Sequence, residues 1–101
     1  MIRQSVGDQI RIDKLLWFLR FVRSRSLAQA IVEAGHIRVE GRRISRSSAL
    51  VHAGQHLVIP LESGIIVMRL VKVPARRGSA PEAQSCYIRL DLPAEVREIA
   101  V

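Results

Sequence analysis

The chain has 101 residues and a formal net charge of +7, and 49% of its residues are hydrophobic. This length predicts one domain with little room for a substrate pocket, and the hydrophobic content excludes a disordered basic tail. The single cysteine excludes an internal disulfide and a cysteine-based metal cluster, and it fits a protein of the reducing cytoplasm. The apolar runs are all shorter than a membrane span of about 20 residues, and residues 1–9 lack the apolar core of a signal peptide.

The first predicted element is a helix over residues 12–22. Its apolar side chains recur at the spacing of one helical face: Ile12, Leu15, Leu16, Leu19 and Val22. Three aromatic residues, Trp17, Phe18 and Phe21, lie away from this stripe. They have the chemistry to stack on unpaired bases, but a helix between two layers is also apolar on both sides, and we predict that they pack in the core.

A second helix is predicted from Ser24 to about Ala34. Ser24 is a favourable N-cap residue, and Gly35 is a favourable left-handed residue after the helix end. The two helices, joined by a short polar turn, predict a helical hairpin.

After Gly35 the apolar pattern changes from helical spacing to the alternation and β-branched content of strands. The predicted strands are residues 36–40, a short return beginning at Ile44, 56–59, 65–73 and 84–90. Turns are predicted at Gly41, at Gly54 and over 60–64, a basic loop over 74–81, and a short helix over 92–101.

Positive charge is concentrated between Arg11 and Arg46. This segment holds nine Lys or Arg residues against three acids, which gives +6 of the total +7. Such a concentration on ordered elements is typical of a surface that binds a polyanion, with nucleic acid as the leading candidate. A membrane surface is the alternative, but the basic residues spread over two helices and a strand turn instead of following one helix face.

Residues 11–59 resemble the S4 RNA-binding domain family. The resemblance rests on short motifs in the family's order and spacing: Arg11-Ile12-Asp13-Lys14-Leu15-Leu16, Ser24-Arg25-Ser26-Leu27-Ala28, Ile31 with Gly35, Ile37 with Val39 and Gly41, and Gly54-Gln55-His56-Leu57. Within the family, the chain is most similar to small stand-alone bacterial members. It departs from the family pattern at Glu40, where an asparagine is usual.

The resemblance implies an α+β fold of the S4 type (the αL motif), with the two-helix hairpin packed on a small, mainly antiparallel β-sheet. Residues 1–9 would be an N-terminal tail, residues 10–60 the RNA-binding motif, and residues 61–101 the strands and extension that complete the same domain. The implied function is non-catalytic binding of structured RNA, in particular ribosomal RNA of the large subunit, in a stress response or in the rescue of stalled nascent-chain complexes.

The expected mechanism is contact with RNA phosphates, for which the planar fork of arginine is well suited. The candidate RNA-binding residues are Arg11, Lys14, Arg20, Arg23, Ser24, Arg25, Gln29, Arg38, Arg42, Arg43 and Arg46. Asp13 lies among these basic residues. We predict that it complements the start of the first helix, or orients Arg11 or Arg25, and that it is not a general base.

No catalytic residue, cofactor or metal is predicted. His52 and His56 are four residues apart, but Gly54 argues against a helix between them and a third ligand is not evident. The expected partner is ribosomal RNA or a tRNA-containing large subunit, with weaker binding to other nucleic acids, no membrane, and a monomer when free. The alternative is an RNA-binding accessory domain or fragment of an RNA-modifying enzyme such as a pseudouridine synthase.

Overall fold

The computed structural model describes residues 8–91, and these form an α+β fold as predicted. The helices are α1 (Ile12–Phe18), α2 (Arg25–Glu33) and α3 (Ala80–Gln84). The strands are β1 (Gln9–Arg11), β2 (Ile37–Val39), β3 (Arg42–Ile44), β4 (Leu50–His52), β5 (His56–Leu61), β6 (Gly64–Leu70) and β7 (Tyr87–Arg89). The short helix predicted over 92–101 lies outside the described residues. Within residues 8–91, no helix has the length and apolar content needed to cross a membrane.

The strands form two antiparallel sheets. The larger has the order β3-β2-β5-β6-β7, and the smaller pairs β1 with β4. The small sheet was not predicted, because three-residue strands are too short to show an alternating pattern and their pairing is a tertiary contact. Ile10 and Val51 face each other in it, and both side chains are buried in the core. Gln9, assigned to the tail on sequence, is the first residue of β1.

The first helix ends at Phe18, four residues before the predicted end. Arg20 adopts a left-handed conformation with φ +66°, and the amide of Phe21 donates to the carbonyl oxygen of Leu16 over 3.1 Å. This hydrogen bond is typical of a Schellman helix end, which glycine usually makes. Leu19 nevertheless remains buried, so the apolar stripe reaches the core although the helix has ended.

The second helix has the predicted ends. The Ser24 hydroxyl accepts a hydrogen bond from the amide of Leu27 over 3.2 Å, and Gly35 has φ +84°. Ala28 and Val32 are buried on the side of α2 that faces the core. The predicted helical hairpin is therefore present, with a longer connection than expected between α1 and α2.

Replacing the cap residue, Ser24→Ala, is expected to lower the free energy of unfolding by about 1 kcal/mol, because the amide of Leu27 loses its acceptor. Urea unfolding measures this change. The matched control is Ser26→Ala, an exposed serine inside the same helix, which should change stability by less than half as much. Equal losses in the two variants would contradict a capping role for Ser24.

One apolar cluster joins the helices to the larger sheet. Helix α1 contributes Ile12, Leu15 and Leu16, and the strands contribute the fully buried side chains of Ile37, Leu57, Ile59, Met68 and Leu70. The predicted core position of the aromatics is confirmed for Phe18 and Phe21, which pack against this cluster. Phe21 also meets Tyr87 edge to face, with ring centroids 5.2 Å apart. Trp17 is half-buried beside Phe18.

Several predicted strand and loop boundaries are wrong. Strand β3 begins at Arg42 and ends at Ile44, where it was predicted to begin, and β7 begins at Tyr87 instead of at residue 84. Strand β5 continues through Pro60, which was assigned to a turn; β2 pairs only with Leu57 and Val58, so the missing amide of Pro60 interrupts no hydrogen-bond ladder there. Strand β6 stops at Leu70 and not at Val73. The basic loop ends early because α3 begins at Ala80, where Ser79 and Glu82 cap each other's backbone in a capping box.

Candidate nucleic-acid interface

The basic region is built around one buried carboxylate, that of Asp13. Its side chain has 0% exposure and is the only buried charged side chain within residues 8–91. Arg11 holds it with two hydrogen bonds, from Nε to Oδ1 over 3.1 Å and from Nη2 to Oδ2 over 2.9 Å. Gln29 Nε2 donates to Oδ2 over 3.1 Å, and Arg25 Nε lies 3.5 Å from the same oxygen. We refer to Asp13, Arg11, Arg25 and Gln29 as the Asp13 cluster.

Local structure explains why these four residues meet. Asp13 is in the first turn of α1, where a negative charge is favourable, and it accepts a hydrogen bond from the amide of Lys14 over 2.7 Å. Arg11 ends β1, directly before this turn. Arg25 and Gln29 lie one turn apart on α2, so they present neighbouring side chains to the same carboxylate.

The carboxylate is fully ionised at neutral pH. Burial by itself would raise the pKa of Asp13, but the hydrogen bonds from Arg11, Gln29 and the amide of Lys14, with the nearby charge of Arg25, lower the pKa to about 2. The same hydrogen bond raises the pKa of Arg11. The prediction that Asp13 orients arginine side chains is therefore confirmed for both Arg11 and Arg25.

The cluster holds two arginines in place without burying them. The side chains of Arg11 and Arg25 remain 40% and 38% exposed, while Asp13 is not exposed at all. A guanidinium has five N–H donors, and Arg11 uses only two of its nitrogens on Asp13. Each arginine therefore keeps donors for an external anion, and the three charges together sum to +1.

A groove of about 270 Å³ lies beside the cluster, and Arg42, Ile44, Ala49 and Leu50 are among its lining residues. Two contacts connect it to the cluster. Leu50 is the strand partner of Arg11, and the carbonyl oxygen of Ala49 accepts from the amide of Ile12 over 2.8 Å.

Arg46 also belongs to this side of the molecule. It is exposed in the loop between β3 and β4, and the next residue, Ser47, accepts a hydrogen bond from the amide of Asp13 over 3.3 Å. Arg42 thus lines the groove beside the Asp13 cluster, and Arg46 lies one residue from the backbone contact between Ser47 and Asp13.

Arg38 and Arg43 lie on the opposite face of the β2–β3 hairpin. They are direct strand partners, whereas Arg42 is paired with Val39, and side chains alternate between the faces along a strand. Like charges in direct register are unfavourable by roughly 0.2–1 kcal/mol. Both arginines are exposed, and Arg38 Nη1 donates to the carbonyl oxygen of Gly41 over 3.3 Å.

The other candidate residues lie apart from the Asp13 cluster or have local roles. Lys14 Nζ sits 5.7 Å from the centre of the Phe18 ring, and the Ser24 hydroxyl caps α2. Arg23 is exposed in the connection between the helices. Arg20 lies past the far end of α1, where its Nη1 donates to the carbonyl oxygen of Gly78 over 2.9 Å. Of these four residues, Lys14 contacts the Asp13 carboxylate through its backbone amide, and the other three have the local positions given above.

The unusual residue Glu40 has a structural role that the sequence did not indicate. It forms the hairpin turn with Gly41, both with positive φ (+52° and +80°), and its Oε2 accepts a hydrogen bond from the amide of His56 over 2.6 Å. Nδ1 of His56 lies 3.1 Å from the same oxygen. These contacts lower the pKa of Glu40, the hydrogen bond from the His56 amide being the largest cause. Glu40 therefore fastens the hairpin turn to β5.

Within residues 8–91, no three His, Cys, Asp or Glu side chains come close enough together to hold a metal ion. His52 Nδ1 lies 3.0 Å from the carbonyl oxygen of Ala53, whereas His56 contacts Glu40. The two histidines thus have separate local partners.

Comparison with known proteins identifies the fold family. The family model of the S4 domain matches residues 10–57. A heat shock protein 15 homolog of Haemophilus influenzae is 30% identical over 90 residues, which cover 89% of this chain and 68% of that protein. A homolog from Aeromonas salmonicida is 37% identical over 79 residues, covering 78% of this chain and 59% of the relative. The chain thus spans about two thirds of the length of these relatives.

A solved structure agrees with these matches. Vibrio cholerae heat shock protein 15, described as trimeric, superposes with a TM-score of 0.76 at 31% identity and covers 93% of this chain and 94% of that one. The chain described here is therefore an S4-domain protein, as its sequence motifs predicted. Within that class, the chain belongs to the family of heat shock protein 15. Membership of this family supports RNA binding by the chain.

Proposed function

We propose that this protein binds structured RNA without catalysing a reaction, and that its target is ribosomal RNA of the large subunit, in a stress response or in the rescue of stalled nascent-chain complexes. The observation that supports this most directly is the Asp13 cluster. It holds two arginines in fixed orientations while leaving about two fifths of each side chain exposed. A surface of that kind is suited to phosphate oxygens at defined positions.

The proposed interface consists of Arg11, Arg25 and Gln29 from the cluster, with Arg42 and Arg46 along the neighbouring groove. Arg38 and Arg43 contact RNA from the other face of the hairpin, and Lys14, Arg20, Arg23 and Ser24 lie outside this central surface. Because the groups are mostly guanidiniums on a rigid frame, recognition follows the shape and phosphate positions of folded RNA more than its base sequence.

The family relationship supports an RNA-binding protein of the heat shock protein 15 kind. The relatives named heat shock protein 15 match 89% and 78% of this chain, which extends beyond the S4 motif itself. This favours a protein of that kind over an accessory domain of an RNA-modifying enzyme. A ribosomal target in turn implies a cytoplasmic protein, because ribosomes work in the cytoplasm.

The test is sedimentation of the purified protein with large ribosomal subunits, together with titration of a folded ribosomal RNA fragment. Wild type is expected to co-sediment at low salt and to dissociate at high salt. The variant Arg25→Gln/Arg42→Gln should weaken RNA binding about tenfold or more. The dependence of log K on log salt should decrease by roughly 1.4–1.8, since about 0.7–0.9 is lost per phosphate contact.

A matched control has the same loss of two positive charges. In Arg76→Gln/Arg89→Gln the replaced arginines are already paired with carboxylates, those of Glu82 (2.8 Å) and Asp91 (2.8 Å). This control should bind nearly as tightly as wild type. If both double variants lose affinity equally, binding depends on net charge and the proposed surface is wrong. If wild type does not bind RNA at all, the proposed function is wrong.

The free protein is proposed to be a monomer, as the sequence analysis expected, whereas the related Vibrio cholerae protein is described as trimeric. Sedimentation equilibrium in the absence of RNA distinguishes the two states for this chain. A mass of 11.3 kDa supports the monomer, and three times that mass contradicts it.

A further inference from the structure

A second group of arginines lies at the end of α1 remote from the Asp13 cluster. Arg20 occupies a left-handed position that glycine usually fills, with φ +66°. A side chain in that conformation is unfavourable, and such strained residues concentrate at functional sites. Arg20 is exposed, and it uses one nitrogen, Nη1, on the carbonyl oxygen of Gly78.

Arg77 is held at the same end of α1. Its Nε donates to the carbonyl oxygen of Trp17 over 3.1 Å, in the last turn of the helix. The Trp17 carbonyl also accepts from the amide of Arg20 over 3.0 Å, so Arg77 is a second donor to it and adds a positive charge where the helix dipole favours one. Its two terminal nitrogens are not used by this hydrogen bond.

The partners of these two arginines differ from those of their neighbours. Arg76 and Arg89 are paired with carboxylates, which cancel their charge. Arg20 and Arg77 are positioned by backbone carbonyl oxygens, which orient a guanidinium without neutralising it. Each guanidinium keeps two nitrogens that these hydrogen bonds do not use. Two oriented positive charges with such free N–H donors are suited to binding one or two phosphate groups.

The spacing to the Asp13 cluster suits a single RNA strand. Asp13 lies in the first turn of α1, and Trp17, whose carbonyl oxygen Arg77 contacts, lies in its last turn, about 6 Å further along the helix. This distance is short enough for one RNA strand that contacts Arg11 and Arg25 to reach the far end of α1 as well.

We propose that Arg20 and Arg77 form a second phosphate-binding site for the same RNA, so that the interface extends along α1 beyond the S4 motif. Arg77 lies outside residues 10–57, to which the S4 domain is matched. The inference rests on the proposed function, because it names a further contact for the RNA that the Asp13 cluster binds.

The decisive variant is Arg20→Gly, since its effects on folding and on binding have opposite signs. Glycine relieves the left-handed backbone, so the melting temperature should equal or exceed that of wild type. RNA affinity should nevertheless fall about five-fold, and the dependence of log K on log salt should decrease by roughly 0.7–0.9. If Arg20→Gly is as stable as wild type or more stable, its loss of RNA affinity is not caused by misfolding.

The double variant Arg20→Gly/Arg77→Gln should lose roughly twice as much of the salt dependence as Arg20→Gly alone. Glutamine keeps an amide donor for the Trp17 carbonyl, and circular dichroism checks that the variant is folded. If Arg77→Gln does not fold, the result with Arg20→Gly alone decides the question. Arg76→Gln/Arg89→Gln is the control with the same charge loss.

The outcomes separate this inference from the proposed function. Weaker binding by Arg20→Gly, with the control unchanged, supports the second site. If Arg20→Gly and the double variant bind like wild type while Arg25→Gln/Arg42→Gln is weakened, the second site is wrong and the proposed function stands. If wild type does not bind the RNA fragment at any salt concentration, both are wrong.

Discussion

The variant Asp13→Asn is expected to bind RNA about tenfold more weakly than wild type, although it raises the net charge from +7 to +8 by removing one negative charge. Asparagine cannot hold Arg11 with two charge-assisted hydrogen bonds, nor attract Arg25. Both guanidiniums then lose their fixed orientation at the surface. A surface that acted through total charge alone would instead bind RNA more tightly in this variant.

The magnitudes indicate that orientation outweighs the added charge. An arginine side chain has about 2 kcal/mol of rotamer entropy, part of which is lost when it binds a phosphate. The Asp13 cluster has already restricted Arg11 and Arg25 before RNA arrives. An additional exposed charge contributes only about 0.2–1 kcal/mol. Losing the restriction of two side chains therefore has the larger effect, and about 1.4 kcal/mol corresponds to the tenfold loss.

The matched control is Glu33→Gln, which raises the net charge by the same amount on the exposed end of α2. Fluorescence titration with the same RNA fragment compares the two variants, at a temperature where circular dichroism shows both to be folded. Glu33→Gln should bind as tightly as wild type or slightly better. Equal or tighter binding by Asp13→Asn would contradict an orienting role for Asp13.

Local signals in the sequence were sufficient for the second helix and for most strands. Ser24 and Gly35 mark the ends of α2 because capping depends on residues within one turn of the chain. The end of α1 was not predictable in the same way, since an arginine occupies the left-handed position. The capping box of α3 was present in the sequence as Ser79 and Glu82, with Pro81 between them, and was missed among the basic residues.

The candidate site was predictable in its chemistry and only partly in its geometry. Charge pattern and family motifs indicated the right class of residue, and Asp13 could be recognised as the acid among them. Which arginines share a face depends on the register of β2 and β3. Strand alternation alone places Arg42 and Arg43 on opposite faces. The pairing of Arg43 with Arg38 and the contact of Ser47 with Asp13 depend on tertiary structure, which the sequence pattern does not contain.

The second prediction with a large effect concerns acid stability. The pKa of Asp13 is about 2 in the folded protein, against an ordinary value of 3.8 that applies when the chain is unfolded. A carboxyl group with a lowered folded-state pKa stabilises the fold above its unfolded pKa. That contribution is lost as the pH falls from about 4 through about 2, and it amounts to about 2 kcal/mol because one pKa unit corresponds to 1.36 kcal/mol.

Urea unfolding of wild type and Asp13→Asn at about pH 5 and about pH 2 measures this contribution. Other carboxylates with lowered pKa values, such as Glu82 and Asp91, titrate in both proteins, so the difference between the two proteins isolates Asp13. Wild type should be more stable than the variant at the higher pH, and that advantage should shrink by about 2 kcal/mol at the lower pH. If the two free energies of unfolding instead fall in parallel, Asp13 is not held as a buried carboxylate, and the orientation of Arg11 and Arg25 must have another cause.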